Sequence, residues 1–458
     1  MRTKNHKPRG LSIRETRILQ ASLFDNYSKH AFGNQLKALS GLLDEHPEIL
    51  PLIEKDLVGP LVKKVGRSGL SVESVFRCLL LKQQLQVSYE KLSFHLSDSM
   101  SYRTFTRLPE GLSPSSSGLQ STIRSIRPET LEKVYDVLSI KWIEEGKMSL
   151  EKSRIDSTVV KSHITPPSDS QLLNDSVRVL NRFFAKSQSN TGVKIRFTDK
   201  RKASKSLAFA IFNAKNAIKE TLYPEMLILA RVVLRQADRA LKKVKAEGES
   251  TLKTQKWIGG VEHFRSLLSQ VIDQTQSRVI DKKSVPASEK IVSIFEEHTD
   301  IIVKGFRDVQ YGHKVNLSTE DNGFITYFSI EKGNPADKDL FLPVLDAHTK
   351  NYKRLPTSTV CDGGYASKKN ASDGRSLGLK HAVFHKRVGI SYQDMGVKIK
   401  TFKKLRNFRA GVEGNISELK RAFGAGKAKW KGHDGFKAFV WSSVLCYNLV
   451  RMARQKPG

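Results

Sequence analysis

Cysteine is scarce. The 458 residues hold three, Cys78, Cys361 and Cys446, far apart in the chain. That excludes a disulfide framework or a cysteine-based zinc site, and the three read as reduced thiols, two of them inside apolar runs where a free Cys packs as a small hydrophobe. Long apolar runs are lacking too. None approaches the ~18 residues of a membrane span, and the opening MRTKNHKPRG has no apolar signal core, so no membrane association is expected and the cytoplasm or nucleoid is the expected location. Acid is the third shortage. Asp and Glu total 46 against 78 Lys and Arg, a net charge of +32. So large an excess implies a polyanionic partner, a nucleic acid being the usual one. An anionic membrane surface is disfavoured, because the basic residues are spread over many segments and form no single amphipathic anchor.

What is present is enough for real cores, at 39% hydrophobic residues. Residues 1–30 are polar and basic and read as a flexible arm, suited to lie along phosphates or simply disordered. Residues 31–150 carry helical periodicity: Leu36, Leu39, Leu42 and Leu43, then Val72, Phe76, Leu79 and Leu80 after a Ser71 cap. Short helices follow at Tyr89 to Leu96, Ser115 to Ile126 and Glu129 to Glu144, flanked by Arg103, Arg107, Arg124 and Arg127. This all-α region suits either a helix-turn-helix-like DNA reader and dimerisation surface or an architectural bundle.

At Ser153 the character changes. RIDSTVV reads as a strand with Asp156 in its body, a costly place for a carboxylate without a partner or a task. HITPPSDS leads out of the sheet. A helical insertion at about 169–300 follows, with seams at Met226, Ala230, Val233, Ala237, Ala240 and Val244 and at Val261, Phe264, Leu268, Val271 and Thr275 that predict an antiparallel helical hairpin. Its outward Arg239, Lys242, Lys243 and Lys245 suit either DNA or solvent. Strands return with VQYGHKVNLST, an Asp321-Asn322-Gly323 turn and FITYFSIEKG. A helix marked by Leu340, Val344, Leu345 and His348 precedes PTSTVCDGGYAS, a strand ending in Asp362 and two glycines expected to bend the backbone tightly. An acid at the carboxyl end of a strand is how open α/β sheets present a functional group, although a plain Asp-Gly turn has the same pattern. HAVFHK reads as the last strand.

The stretch KTFKKLRNFRAGVEGNISELKRAFG, Lys400 to Gly424, reads as one helix. Arg409, Glu413 and Lys420, four and seven residues apart, then share a face, an acid between two bases. Alone, that is equally the pattern of a solvated surface.

Strand, insertion, hairpin, helix, strand, helix, strand, helix is the order of a ribonuclease H-like mixed α/β sheet, preceded here by an all-α amino-terminal region, with residues 151–458 as the catalytic domain. The chain resembles the DDE transposases of bacterial insertion sequences. The resemblance rests on RIDSTVVKSHITPPSDSQLLNDSVRVLNR, on YGHKVNL, on VCDGGYAS and on RAGVEGNISELKRAFG, whose Arg, Glu and Lys match the final-helix signature at Arg409, Glu413 and Lys420. Arg406 stands where the wider signature has a Tyr. The resemblance implies Asp156, Asp362 and Glu413 as catalytic acids holding Mg²⁺ (or Mn²⁺), two ions, with Asp156 bridging them. It implies Arg409 and Lys420, with Arg406, Lys403 and Lys404, as DNA contacts, double-stranded DNA (terminal inverted repeats and target) as partner, and a homodimer in the DNA complex. Glu418 is the rival third acid, rotated about 140° from Glu413 on a continuous helix. Asp156 and Asp362 are 206 positions apart (362 minus 156) and Asp362 and Glu413 are 51 apart (413 minus 362), so the large insertion follows the first strand. Two other readings keep the fold: a non-catalytic DNA-binding regulator derived from such an enzyme, and a metal-dependent nuclease that only hydrolyses.

Overall fold

The computed structural model describes residues 26–58, 69–109, 111–304, 308–385 and 389–455. The basic arm expected at 1–30 falls almost wholly outside them. The amino-terminal helices are α1 Ala31–Asp44, α2 Leu50–Leu57, α3 Val72–Leu85, α4 Tyr89–Asp98, α5 Met100–Thr106, α6 Ser116–Ile123 and α7 Pro128–Glu144. Strand β1 is Lys152–Lys161. There follow α8 Asp169–Ala185, α9 Ser187–Thr191, α10 Arg201–Asn213, α11 Asn216–Glu247 and α12 Leu252–Thr275, then β2 Asp300–Lys304, β3 Asp308–Thr319 and β4 Ile325–Ile330. The chain continues with α13 Phe341–Tyr352, β5 Ser358–Cys361, α14 Lys368–Ser376, β6 His381–Phe384, α15 Ile399–Arg409, α16 Gly411–Ala422 and α17 His433–Gln455. No helix among the described residues is long and apolar enough to cross a membrane.

Two compact units result, one of residues 1–162 and 313–458, the other of 163–312. The first contains the mixed sheet. β1 pairs β5 in parallel and β5 pairs β6 in parallel, while β3 lies on the other side of β1 and pairs β4 antiparallel. This is the ribonuclease H-like arrangement expected. The hairpin gains a strand the sequence did not announce, because β2 pairs with Asp308–Gly312 of β3. Gly323 closes the β3–β4 turn at φ +80°, a conformation that disfavours side chains, and a Cβ there would lie 2.5 Å from Asn415 Nδ2.

Each sheet face is covered, which explains why β1 is buried along most of its length instead of alternating. On one side Ile155, Val360, Cys361 and Phe384 pack with Phe341, Leu345, Phe402 and Leu405 from α13 and α15. The other side joins Val160, Val315, Leu317 and Phe328 to α17 and the amino-terminal helices in one core. Helix α17 is apolar nearly all round, with Val440 through Val450 buried, as befits a helix enclosed by protein. All three cysteines are buried and free.

The arginines flanking the short helices serve the fold. Arg103 donates to the carbonyls of Leu96, Pro109 and Leu112; Arg107 pairs with Glu73 and Asp44; Arg124 donates to Lys431 O; and Arg127 pairs with Asp56. They tie loops and helix ends to the core, so their position beside short helices is no signature of DNA reading.

In the second unit α8, α10, α11 and α12 enclose a separate core, with Met226, Ala230, Val233, Ala237, Ala240 and Val244 facing Trp257, Val261, Leu268 and Val271. The helical hairpin expected from the two seams is α11 with α12. Of its outward cations, Lys245 pairs with Glu262 at 2.7 Å and Lys243 donates to Lys194 O.

One buried group gives the fold an acid limit. His348 of α13 is fully buried, with Nε2 3.2 Å from Thr326 Oγ1, and burial pushes its pKa down to about 3. The folded state therefore disfavours imidazolium. Its contribution is intact above the ordinary His pKa near 6.5 and is lost as pH falls below that value toward 3, about 2 kcal/mol by pH 5. Denaturant unfolding at pH 7 and pH 5 should show His348→Gln losing about that much less stability between the two than the parent protein.

Candidate functional site

Asp156 lies in the middle of β1 and Asp362 directly follows the carboxyl end of β5, so parallel pairing of these neighbours, with Ile155 opposite Cys361, brings both acids to one region of the sheet. Ser157 N donates to Asp156 Oδ1 at 2.7 Å. The turn after Asp362 is not the sharp bend expected of its glycines: neither Gly363 nor Gly364 has positive φ, and a Cβ on Gly364 would lie 2.7 Å from Asp337 Oδ2. Asp337 in turn accepts from Ser157 Oγ at 2.8 Å and pairs with Lys314 at 2.5 Å. Sequence reasoning did not assign Lys314, inside YGHKVNL, or Asp337 to this neighbourhood.

The stretch expected as one helix is two. Helix α15 ends at Arg409 and α16 begins at Gly411, with Ala410 between them bonding back only three residues, N to Asn407 O. Arg154 is bound at this junction. Its Nη1 donates to Phe408 O, the carbonyl that would otherwise continue the helical ladder, while Nε donates to Thr319 Oγ1 and Nη2 to Asn415 Oδ1. The guanidinium lies 4.6 Å from the Phe408 ring centroid. Gly411 is required beside it, because a Cβ would fall 2.1 Å from Arg154 Nη1.

The break leaves Glu413 in the first turn of α16, where a carboxylate meets the positive end of the helix dipole. Arg409, the last residue of α15, keeps the four-residue contact with Glu413 across the junction, where Ala410 stays in the right-handed helical region. One Arg409 guanidinium reaches Asp156 Oδ2 at 3.3 Å, Asp362 Oδ1 at 3.6 Å and Glu413 Oε1 at 3.1 Å. The three sequence-selected acids thus converge on one cation. Their side-chain exposures run 16% for Asp156, 40% for Asp362 and 68% for Glu413, so the cluster opens to solvent on the Glu413 side. His385 Nδ1, 3.8 Å from Asp362 Oδ1, is a neighbour the sequence did not single out; a lone His at the end of a strand carries no signal of it.

Lys420 Nζ donates to Thr158 Oγ1 at 2.6 Å, two residues along β1 from Asp156. Lys403, Lys404 and Arg406 are exposed on α15, opposite its buried Phe402 and Leu405, and none is brought among the acids. Glu418 is held elsewhere: Arg451 and Arg454 of α17 pair with its two oxygens at 2.6 and 3.2 Å.

The acids supply several carboxylate oxygens around a place already compatible with positive charge, and among the described residues His385 is the imidazole at ion-pair distance from them. Hard oxygen donors of this kind suit Mg²⁺ or Mn²⁺. Removing the Arg409 cation leaves three carboxylates facing one another. Arg409→Gln should lower stability by about 2 kcal/mol in EDTA, with much of the loss recovered in millimolar Mg²⁺. Thermal unfolding in the two buffers measures this; equal loss in both would exclude cation sharing by the acids.

A ribonuclease H-like sheet with acids gathered at one edge is the framework of a DDE domain. A family model described as a transposase DDE domain matches residues 273–449, and one described as a transposase domain (DUF772) matches 27–127. Together the two matches indicate a DDE-type insertion-sequence transposase. Asp362 and Glu413 fall inside the first match, while Asp156 lies between the two. No curated protein and no solved structure matches the chain.

Proposed function

We propose that the protein cuts DNA at the ends of its own mobile element and joins the freed 3′-hydroxyl to target DNA. The observation that carries this reading is the convergence of Asp156, Asp362 and Glu413 on a single guanidinium at the sheet edge. In this reading Asp156, the least exposed acid, would hold Mg²⁺ or Mn²⁺ together with Asp362 and Glu413. When bound there, divalent ions would supply activation of the attacking water or hydroxyl and charge stabilisation at the leaving oxygen.

The chain's own residues orient the reacting DNA. Ser157 N–H donates to Asp156 Oδ1, and the Lys314–Asp337–Ser157 connection braces the same stretch of β1. Arg409, which lies among the three carboxylates, would meet a phosphate where divalent cations take its place. Lys420 takes a second phosphate, and exposed Lys403, Lys404 and Arg406 extend the contact along flanking duplex. A dimer synapsing two ends fits this chemistry.

The test is a cleavage and joining assay in Mg²⁺ on duplexes carrying the inverted repeats that flank the gene. Cutting with joining supports the reading. Cutting without joining makes the protein a nuclease, and binding without cutting makes it a regulator. Absence of inverted repeats around the gene would also count against it.

A further inference from the structure

The unit of residues 163–312 carries a second surface built for an anion, formed by none of the residues assigned above. Helices α8 and α10 bound a groove of about 790 Å³. Arg178 and Arg182 come from α8, and Arg201, Lys202 and Lys205 from α10, against one lining acid, Asp175. Arg178 is paired with Asp175 and Arg201 with Asp199. Arg182, Lys202 and Lys205 are exposed, with no carboxylate within ion-pair distance among the described residues.

The same groove holds two of the most exposed large apolar side chains among the described residues. Phe209 is 70% exposed and Phe212 78%, both on α10 and both lining the groove. Helix α10 already buries an apolar stripe of Ala208 and Ile211 against its own core, so these rings are surplus to folding. Lys205, Phe209 and Phe212 follow one another at four- and three-residue steps, which sets cation and rings on one face of the helix.

We infer that this groove binds DNA whose bases are unpaired, with phosphates along Arg182, Lys202 and Lys205 and bases stacked on Phe209 and Phe212. A basic track beside exposed aromatic rings is the chemistry of single-strand binding, because every base offers a π-face and every nucleotide a phosphate. The charge selects this occupant over a second copy of the chain. A two-fold self-contact would set the groove's five cations against the same five. The inference rests on the proposed DNA-joining function, in which cutting exposes strand ends.

Full-length protein would be titrated with a blunt 20-base-pair duplex and with the same duplex carrying a six-nucleotide single-stranded tail, read by fluorescence anisotropy from 50 to 200 mM salt. All the altered residues are exposed, so the variants should unfold at the parent temperature. Phe209→Ala/Phe212→Ala should lose about tenfold affinity for the tailed duplex and less than twofold for the blunt one. Arg182→Gln/Lys202→Gln/Lys205→Gln should lower the salt slope for the tailed duplex by about 2. Parent-like tail binding in both variants overturns the groove while leaving the DNA-joining reading intact. Failure of the parent protein to bind either DNA overturns both. Loss of a dimer in sedimentation by the Phe variant, with tail preference unchanged, overturns it in favour of self-association.

Discussion

Asp156→Asn, Asp362→Asn and Glu413→Gln should each lower strand cleavage and joining by on the order of 10³-fold or more, about 4 kcal/mol of transition-state stabilisation, with end-DNA binding unchanged or slightly tighter. Each substitution keeps the side-chain shape and removes one negative charge. Phosphate contacts are therefore not weakened, and the repulsion felt by DNA at the site falls. Loss of a carboxylate from a shared set of acids removes its capacity to hold a divalent cation, and the amide does not replace it. The result most damaging to the assignment is full activity in any one of the three. For Glu413 the alternative acid is specific. Glu418→Gln breaks the pairs to Arg451 and Arg454, and it should cost about 1 kcal/mol of stability while leaving cleavage unchanged. Should Glu418→Gln abolish cutting and Glu413→Gln spare it, the third acid is Glu418. Gel-based cleavage and joining assays, with binding measured in parallel, separate these outcomes.

How much of this was legible before the structure depends on whether the cause was local. Strand β1 announces itself by β-branched residues, β5 by a short apolar run ending in Asp-Gly-Gly, and the hairpin by Asp-Asn-Gly, and all three occur where those patterns predict. The seams of α11 and α12 were legible for the same reason: packing partners four residues apart are visible in any window of that size. The break at Ala410 was not. Arg154, 254 positions before Phe408, donates to Phe408 O at that junction, and nothing within Lys400 to Gly424 hints at that donor. The closeness of Asp337 to Gly364 was hidden likewise, since Asp337 comes from a separate segment. Spacing puts Arg409 on one face with Glu413, and the family resemblance implies it as a DNA contact, yet its closeness to Asp156 and Asp362 comes from tertiary packing that no local pattern shows. Spacing placed the three acids in order along the chain; only tertiary packing sets which cation lies among them.

Because Arg154 and Gly411 share one space, they should respond to substitution as a pair. Arg154 is 7% exposed and gives three hydrogen bonds, to Thr319 Oγ1, Phe408 O and Asn415 Oδ1, beneath the Phe408 ring. Arg154→Met keeps much of the aliphatic volume and leaves those acceptors without their donor, at a cost of roughly 3–5 kcal/mol. Gly411→Ala places a methyl group 2.1 Å from Arg154 Nη1 and must displace the guanidinium or the start of α16, so a loss of roughly 2–3 kcal/mol is expected. The two losses should not add. In the Arg154→Met background the guanidinium is gone, and the methyl group added by Gly411→Ala then enters space that the thioether side chain only partly fills, so the double variant should be at least about 1 kcal/mol more stable than the sum of the singles. Activity should follow geometry and not stability. Both single variants disturb the junction between Arg409 and Glu413, so cleavage should fall even at temperatures where the protein remains folded, whereas His348→Gln, on α13, should leave it intact. Additive losses in denaturant unfolding, or parent-like cleavage by folded Arg154→Met, would show that the broken helix is not what positions the acids.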